Sequence, residues 1–207
     1  MFKTKKLLWI TASCKETDNL DSLSSRIGKM FIQYLYQNKI ISKVRERNVN
    51  LIPHIDYNTV SKMYKSSKES ENKESKKENN YESTASFYLV NEFLNSDVIV
   101  ISTPMYNFGC PSALKAWIDH IVVVNQTFKY DKTGPRGLCT NKVIYLVITS
   151  GGGCEEGGEG DFISTYLRYI FKFIGCEDVR VIWINNTNSR SEEDLFKIAT
   201  YQIKSLV

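Results

Sequence analysis

Short apolar runs alternate along this chain with segments of helical period. The runs at 7–12, 98–103, 143–149 and 179–184, with a weaker one over 41–51, are rich in Val, Ile and Leu. A strand covered by helices on both faces reads this way, because neither face is left for water. Between the runs, Leu23, Ile27, Met30, Phe31, Tyr34 and Leu35 form one helical stripe. Leu114, Trp117, Ile118, Ile121 and Val122 form a second, and Ile163, Tyr166, Leu167, Ile170, Phe171 and Ile174 a third. Gly175 offers the third helix a stop. Ser191 and Asp194 stand at capping-box spacing before a last helix carrying Leu195, Ala199, Gln202 and Leu206. The alternation predicts an α/β fold, a doubly wound five-stranded parallel sheet with helices on both faces and right-handed crossovers. Such sheets bind ligands in the loops beyond the carboxyl ends of the strands, where the strand order reverses.

One stretch departs from the pattern. Residues 58–80 are dominated by Ser, Lys, Glu and Asn and are expected to stay out of the core. A solvated loop or an exposed helix of mixed charge accounts for them, and a flap over a binding site is the sharper alternative. The rest of the 207 residues suits one domain spanning 1–207, long enough to bury a sizeable core without staples.

Charge and cysteine usage narrow the partners. The formal charge of +4 is modest and comes partly from the Lys/Glu segment, so no concentrated basic patch points to nucleic acid. Cys14, Cys110, Cys139, Cys154 and Cys176 are an odd set without a CxxC pair, and no histidine stands at ligand spacing from them; neither a disulfide framework nor a metal site is expected. The lysines before residues 7–12 resemble a signal peptide, but that apolar run is too short for one, and no stretch approaches the roughly 20 apolar residues of a membrane helix. A cytoplasmic protein without a membrane partner is the expectation.

Three loops after strands carry candidate chemistry. After the first strand, Ser22, Ser24 and Ser25 fall at the start of a helix, where hydroxyls and free N–H groups suit a phosphate; plain N-capping by Ser22 explains the position equally well. The loop is neither a Walker P-loop nor a GxGxxG fingerprint. After the third strand comes PMYNFGCP, where Pro104 ends the strand and Pro111 suits a first helical turn. After the fourth comes TSGGGCEEGGEG, whose Gly151, Gly152 and Gly153 allow a flat ligand to approach the backbone, or make a tight turn. Convergence of the three loops on one sheet edge carries more weight than any of them singly. His54 and His120 are lone histidines read as surface or packing residues. Asp119 is placed one turn from Lys115 as an ion pair, and Cys110 and Cys154 are read as small apolar fillers.

In this order and spacing, PMYNFGCPSALKAWIDH, TFKYDKTGPRGL and VITSGGG resemble the FMN-dependent NAD(P)H azoreductase/quinone reductase family. The likeness covers nearly the whole chain except the Ser/Lys/Glu segment. It implies a flavodoxin-like fold, a homodimer, and non-covalent FMN reduced by NADH or NADPH. By the same resemblance, Ser13, Ser22, Leu23 and Ser24 would hold the FMN phosphate. Met105, Tyr106, Asn107 and Phe108 would flank the isoalloxazine ring, with backbone amides reaching its polar edge. Ser150, Gly151, Gly152 and Gly153 would close the other side, and Phe128 and Tyr130 would wall the substrate pocket. Many relatives read SRGG, so Gly151 stands here where they carry arginine.

The implied activity is electron transfer to quinones and azo compounds by a ping-pong hydride mechanism, with no side chain as general acid, since the flavin carries the chemistry. A flavodoxin-like electron carrier serving a protein partner is the alternative; its docking surface would be strongly acidic, whereas this chain is net basic. Acyl carrier protein phosphodiesterase activity would want a metal cluster. FAD-binding quinone reductases of this fold usually lack the MYNF run.

Overall fold

The computed structural model describes residues 4–15, 22–69 and 80–206. The expected phosphate loop therefore lies partly outside the described residues, as does the centre of the Ser/Lys/Glu segment. Among the described residues, seven strands and six α-helices follow in the order β1 (Lys5–Thr11), α1 (Leu23–Gln37), β2 (Ile41–Asn48), α2 (Tyr57–Glu69), α3 (Ala85–Leu94), β3 (Val98–Pro104), α4 (Ser112–Ile121), β4 (Phe128–Asp131), β5 (Gly134–Gly137), β6 (Val143–Thr149), α5 (Phe162–Phe173), β7 (Asp178–Ile184) and α6 (Glu192–Leu206).

Five strands form one all-parallel sheet in the order β2-β1-β3-β6-β7. The chain moves outward from β1 to β2, then crosses back to β3 and continues the other way, so the order reverses between β1 and β3. Loops leaving these two strands diverge there and open a crevice. Strand side chains alternate between two cores. Leu8, Ile10, Ile99, Ile101, Leu146 and Ile148 pack with α3, α4 and α5 on one face. Leu7, Trp9, Val98, Val100, Val147 and Ile182 pack with α1 and α6 on the other. This is the doubly wound arrangement expected from the continuous apolar runs, and the flavodoxin-like fold that the resemblance implies.

Two contacts fix helices closely against the sheet. At Gly28 in α1 an added Cβ would lie 2.1 Å from the Ser102 hydroxyl, which itself accepts a hydrogen bond from the buried Trp9 indole at 2.9 Å. Only glycine lets the helix sit so near β3. At the end of α5, Gly175 adopts φ +101°, its N–H donates to the Lys172 carbonyl and the next N–H, of Cys176, donates to Phe171. These are the paired bonds of a Schellman stop, and they satisfy carbonyls the helix leaves open. The β4–β5 hairpin docks on this stop: the Cys139 N–H donates to Ile174 at 2.8 Å, and a Cβ at Gly137 would lie 2.2 Å from the Gly175 nitrogen.

Several expectations change. Residues 57–69 are helical, and Met63 is buried against the core, where it accepts a hydrogen bond from Ser86 at 3.5 Å. The segment was expected to stay out of the core. One methionine with Val60 a turn earlier suffices to seat its first half. Helix α3 and the hairpin have no counterpart in the sequence reading. Gln202 does not join the buried stripe of α6, which Ile203 completes. Its amide instead accepts from the Trp183 N–H at 2.7 Å and donates to the Trp183 carbonyl at 2.9 Å, closing part of the open edge of β7.

Candidate functional site

The carboxyl ends of β1, β3, β6 and β7 set the site. Beyond β1, Ser13 is buried, its hydroxyl accepting from the Lys15 N–H at 3.2 Å and its carbonyl receiving the Asn50 amide at 2.8 Å. Ser22 caps α1, accepting from the Ser25 N–H at 3.3 Å. Its hydroxyl also meets those of Ser24 at 3.2 Å and Ser25 at 3.0 Å. Ser24 is only 1% exposed. Ser22 therefore does cap the helix, and it gathers three hydroxyls at a helix N-terminus in doing so. The N–H groups of Leu23 and Ser24 have no partner among the described residues, as expected for the first turn of a helix.

Beyond β3 the Met105 N–H donates to Thr149 at 2.8 Å and so extends the sheet by one residue. Tyr106 and Gly109 then exchange two backbone bonds of 3.0 and 2.9 Å around Asn107 at φ +48° and Phe108 at φ +66°. Two successive left-handed residues make a type I′ turn. A phenylalanine is uncommon in that region, and such backbone is typical of sites where geometry serves a ligand. Of the four expected ring contacts, Met105 and Tyr106 have their N–H groups engaged, while those of Asn107 and Phe108 are free among the described residues. Phe108 is 59% exposed. The Tyr106 hydroxyl lies 3.2 Å from the thiol of Cys14, tying the first loop to the second; burial, reinforced by this bond, pushes the phenol up.

Beyond β6 the glycine loop is stitched to the segment after β7. The N–H groups of Thr187, Asn188 and Asn186 donate to the carbonyls of Ser150 (3.1 Å), Gly151 (3.3 Å) and Gly152 (2.8 Å), and Ser150 donates to Ile184 at 2.8 Å. Every carbonyl from Ser150 to Gly152 is thus occupied on one side, and the N–H groups of Gly151, Gly152 and Gly153 have no partner among the described residues. The loop continues past Cys154, whose carbonyl accepts from the Trp183 indole at 2.8 Å, and Glu155 takes the Asn185 amide at 2.8 Å. It is drawn in at Asp161, which caps α5 through the Ser164 N–H at 2.8 Å and accepts the Gly157 N–H at 2.8 Å. A Cβ at Gly160 would lie 3.2 Å from the Phe108 ring, so this loop rests on the turn beyond β3.

Phe128 and Tyr130 stand elsewhere. They line a cavity of about 400 Å³ with Ile55, Val60, Met63 and Val123, and its lining includes none of residues 105–108 or 150–153. Phe128 is buried against Phe173, while Tyr130 is 69% exposed. Within one chain these aromatics do not join the three loops. His120 is buried and structural: Pro53 O can only accept, so Nε2 donates to it at 2.8 Å, and Nδ1 lies 2.7 Å from the Ser86 hydroxyl. Lys115 and Asp119 pair at 2.6 Å. Burial pushes the Cys110 thiol up, and burial with the Asp161 and Glu155 charges does so at Cys154, as befits packing rather than reactive thiols. Among the described residues no group of three or more His, Cys, Asp or Glu could hold a metal ion, and no helix is long and apolar enough to cross a membrane.

The sequence reading missed Asn50 and the asparagines after β7. The signal was present in INNTN, an asparagine-rich run directly after an apolar strand, the position from which the other three loops were found.

A family profile described as flavodoxin-like fold matches residues 5–206. The chain belongs to this family. Among curated relatives within the family's reach, it is 36% identical over 185 residues to FMN-dependent NADH:quinone oxidoreductase 2 of Pseudomonas fluorescens (strain Pf0-1), with 88% of each chain covered. It is 35% identical over 209 residues to FMN-dependent NADH:quinone oxidoreductase of Francisella philomiragia, with 98% of each covered. Among solved structures, an FMN-dependent NADH-azoreductase from Bacillus anthracis in complex with FMN superposes with a TM-score of 0.79 at 25% identity, covering 98% of this chain and 97% of that one.

Proposed function

We propose that this flavodoxin-like protein is an FMN-dependent oxidoreductase that passes electrons from NADH or NADPH to quinones and azo compounds. The observation that carries the reading is the set of five unpartnered backbone N–H groups, on Asn107, Phe108, Gly151, Gly152 and Gly153, gathered on loops at adjacent strand ends. Asn107, Phe108, Gly152 and Gly153 are exposed and Gly151 half-buried, so these donors on converging loops stand open to solvent and to a ligand rich in acceptors. The isoalloxazine of FMN has such an edge. Its phosphate fits the other end, where Ser13, Ser22 and Ser24 offer hydroxyls and the first turn of α1 offers N–H groups and the positive end of a helix dipole.

Bound there, FMN supplies two-electron chemistry that no side chain of the protein could perform. The protein's part is to hold and orient it. Residues 105–108 would flank the ring with their I′ turn, residues 150–153 would bring backbone close without side chains, and exposed Phe108 would offer a face to a flat acceptor. Donor and acceptor would use the same open site in turn, which is the ping-pong order. The names of the relatives support NADH and quinones; NADPH and azo compounds extend that reading. Phe128 and Tyr130 would serve a pocket completed by a second subunit, since a single chain keeps them apart from the flavin loops. A one-electron carrier fits less well, because the chain is net basic.

The test is an anaerobic titration. Purified protein, reconstituted with FMN if needed, should show a flavin spectrum that bleaches on adding NADH before any acceptor is present, and recover on adding a quinone. Protein that takes up no FMN would refute the reading, and flavin bleached only by a partner reductase would favour the carrier.

A further inference from the structure

Gly151 has no backbone need to be glycine, since its φ is not among the positive ones. The reason lies across the loop. A Cβ at Gly151 would lie 2.7 Å from Asn188 Nδ2, 3.3 Å from Cγ and 3.4 Å from Oδ1, so the whole carboxamide of Asn188 fills the space a side chain at 151 would take. The backbone holds it there: the Asn188 N–H donates to Gly151 O at 3.3 Å, and Asn186, at φ +56°, turns the chain just before it. The amide has no hydrogen-bonding partner of its own among the described residues, although it stands beside the free N–H groups of the glycine loop. Asn188 is exposed, so this donor, with no intramolecular use, is open to solvent and to a ligand.

We propose that Asn188 is a flavin-positioning residue, donating from Nδ2 to a carbonyl oxygen of the bound ring, and that Gly151 exists to make room for it. The proposal rests on the reading of the site as an FMN site and adds to it a residue and a coupled pair. Asparagine supplies the polar group to the wall of the loop from outside it, so the glycine loop itself stays free of side chains.

The test is the FMN dissociation constant of apoprotein, by fluorescence titration, together with the visible spectrum and reduction potential of the bound flavin. Asn188→Ala should weaken FMN about five- to tenfold, the value of one hydrogen bond of about 1 to 1.4 kcal/mol, and should alter the potential while leaving the apoprotein melting temperature unchanged. Gly151→Ala, whose Cβ would displace the amide, should do the same, and the double variant should bind no more weakly than either single one, because both remove one interaction. Asn188→Asp keeps the shape but loses the donor, and should bind more weakly than the alanine variant. Unchanged affinity and potential in Asn188→Ala, multiplicative losses in the double variant, or wild-type affinity in Asn188→Asp would each overturn the proposal while leaving FMN binding by the wild type intact. A wild type that takes up no FMN would instead overturn the reading of the site.

Discussion

Replacing Gly28 with alanine sets two structural terms against one local preference. Alanine is the better helix former by about 1 kcal/mol, so an unconstrained helix would gain. Here the new methyl would lie 2.1 Å from the Ser102 hydroxyl and 3.1 Å from the Trp9 indole nitrogen. Either α1 moves off β3 or Ser102 turns away and strands the buried Trp9 N–H. Overpacking of this kind costs about 1 to 3 kcal/mol, and an orphaned buried donor costs about 1 to 3 kcal/mol. Since only one of these two costs is incurred, the net expectation after the helix preference is a loss of about 1 kcal/mol, which for a chain of this length lowers the melting temperature by roughly 2 to 4 °C. The assay is thermal and urea unfolding of Gly28→Ala, Ser102→Ala and the double variant. Removing the Ser102 hydroxyl relieves the closest contact, leaving its Cβ at 3.3 Å. The double variant should therefore lose less than the sum of the singles. A rise in melting temperature for Gly28→Ala, or strict additivity, would refute the close approach.

At the phosphate end, Ser24→Ala should weaken FMN binding about ten- to a hundredfold if its hydroxyl bonds the charged phosphate; a loss confined to its bond with Ser22 would leave flavin affinity unchanged, and titration separates the two. Burial holds the Cys139 thiol up at about 11 and those of Cys176 and the Tyr166 phenol up at about 12. The unfolded chain then holds fewer protons at these three groups than the native one above about pH 9, so their contribution to stability should be constant below that pH and fall as pH rises toward 12. Urea midpoints across that window check this, and Cys176→Ala should flatten part of the slope. The protein should sediment as a homodimer; a monomer fully active at every concentration would contradict a shared pocket around Phe128 and Tyr130.

The parallel sheet was legible because its strands are buried on both faces and leave continuous apolar runs, whereas β2, an edge strand with only Ile41 fully buried, gave the weaker signal. Helix α3 escaped notice although Leu89, Val90 and Phe93 are buried and Thr84 caps it, because it abuts the Ser/Lys/Glu segment and runs almost directly into β3. Gln202 was taken for core from its spacing, since periodicity records position and not the hydrogen bond that a side chain makes to a strand edge. At the site, the three loops could be found from strand ends alone. Which N–H groups remain free, and which asparagines cover the glycines, depends on pairing between residues far apart in sequence, and no local pattern encodes that.

Helix α5 is gripped at both ends. Asp161 fastens its start to the loop resting on Phe108, and the Gly175 stop fastens its end to the hairpin that bears Phe128 and Tyr130. Twelve residues of helix make a strut of about 18 Å, held at its start by the Asp161 carboxylate and at its end by backbone bonds. The hairpin that bears Phe128 and Tyr130 and the loop over the turn beyond β3 are thus attached to the two ends of one stiff element.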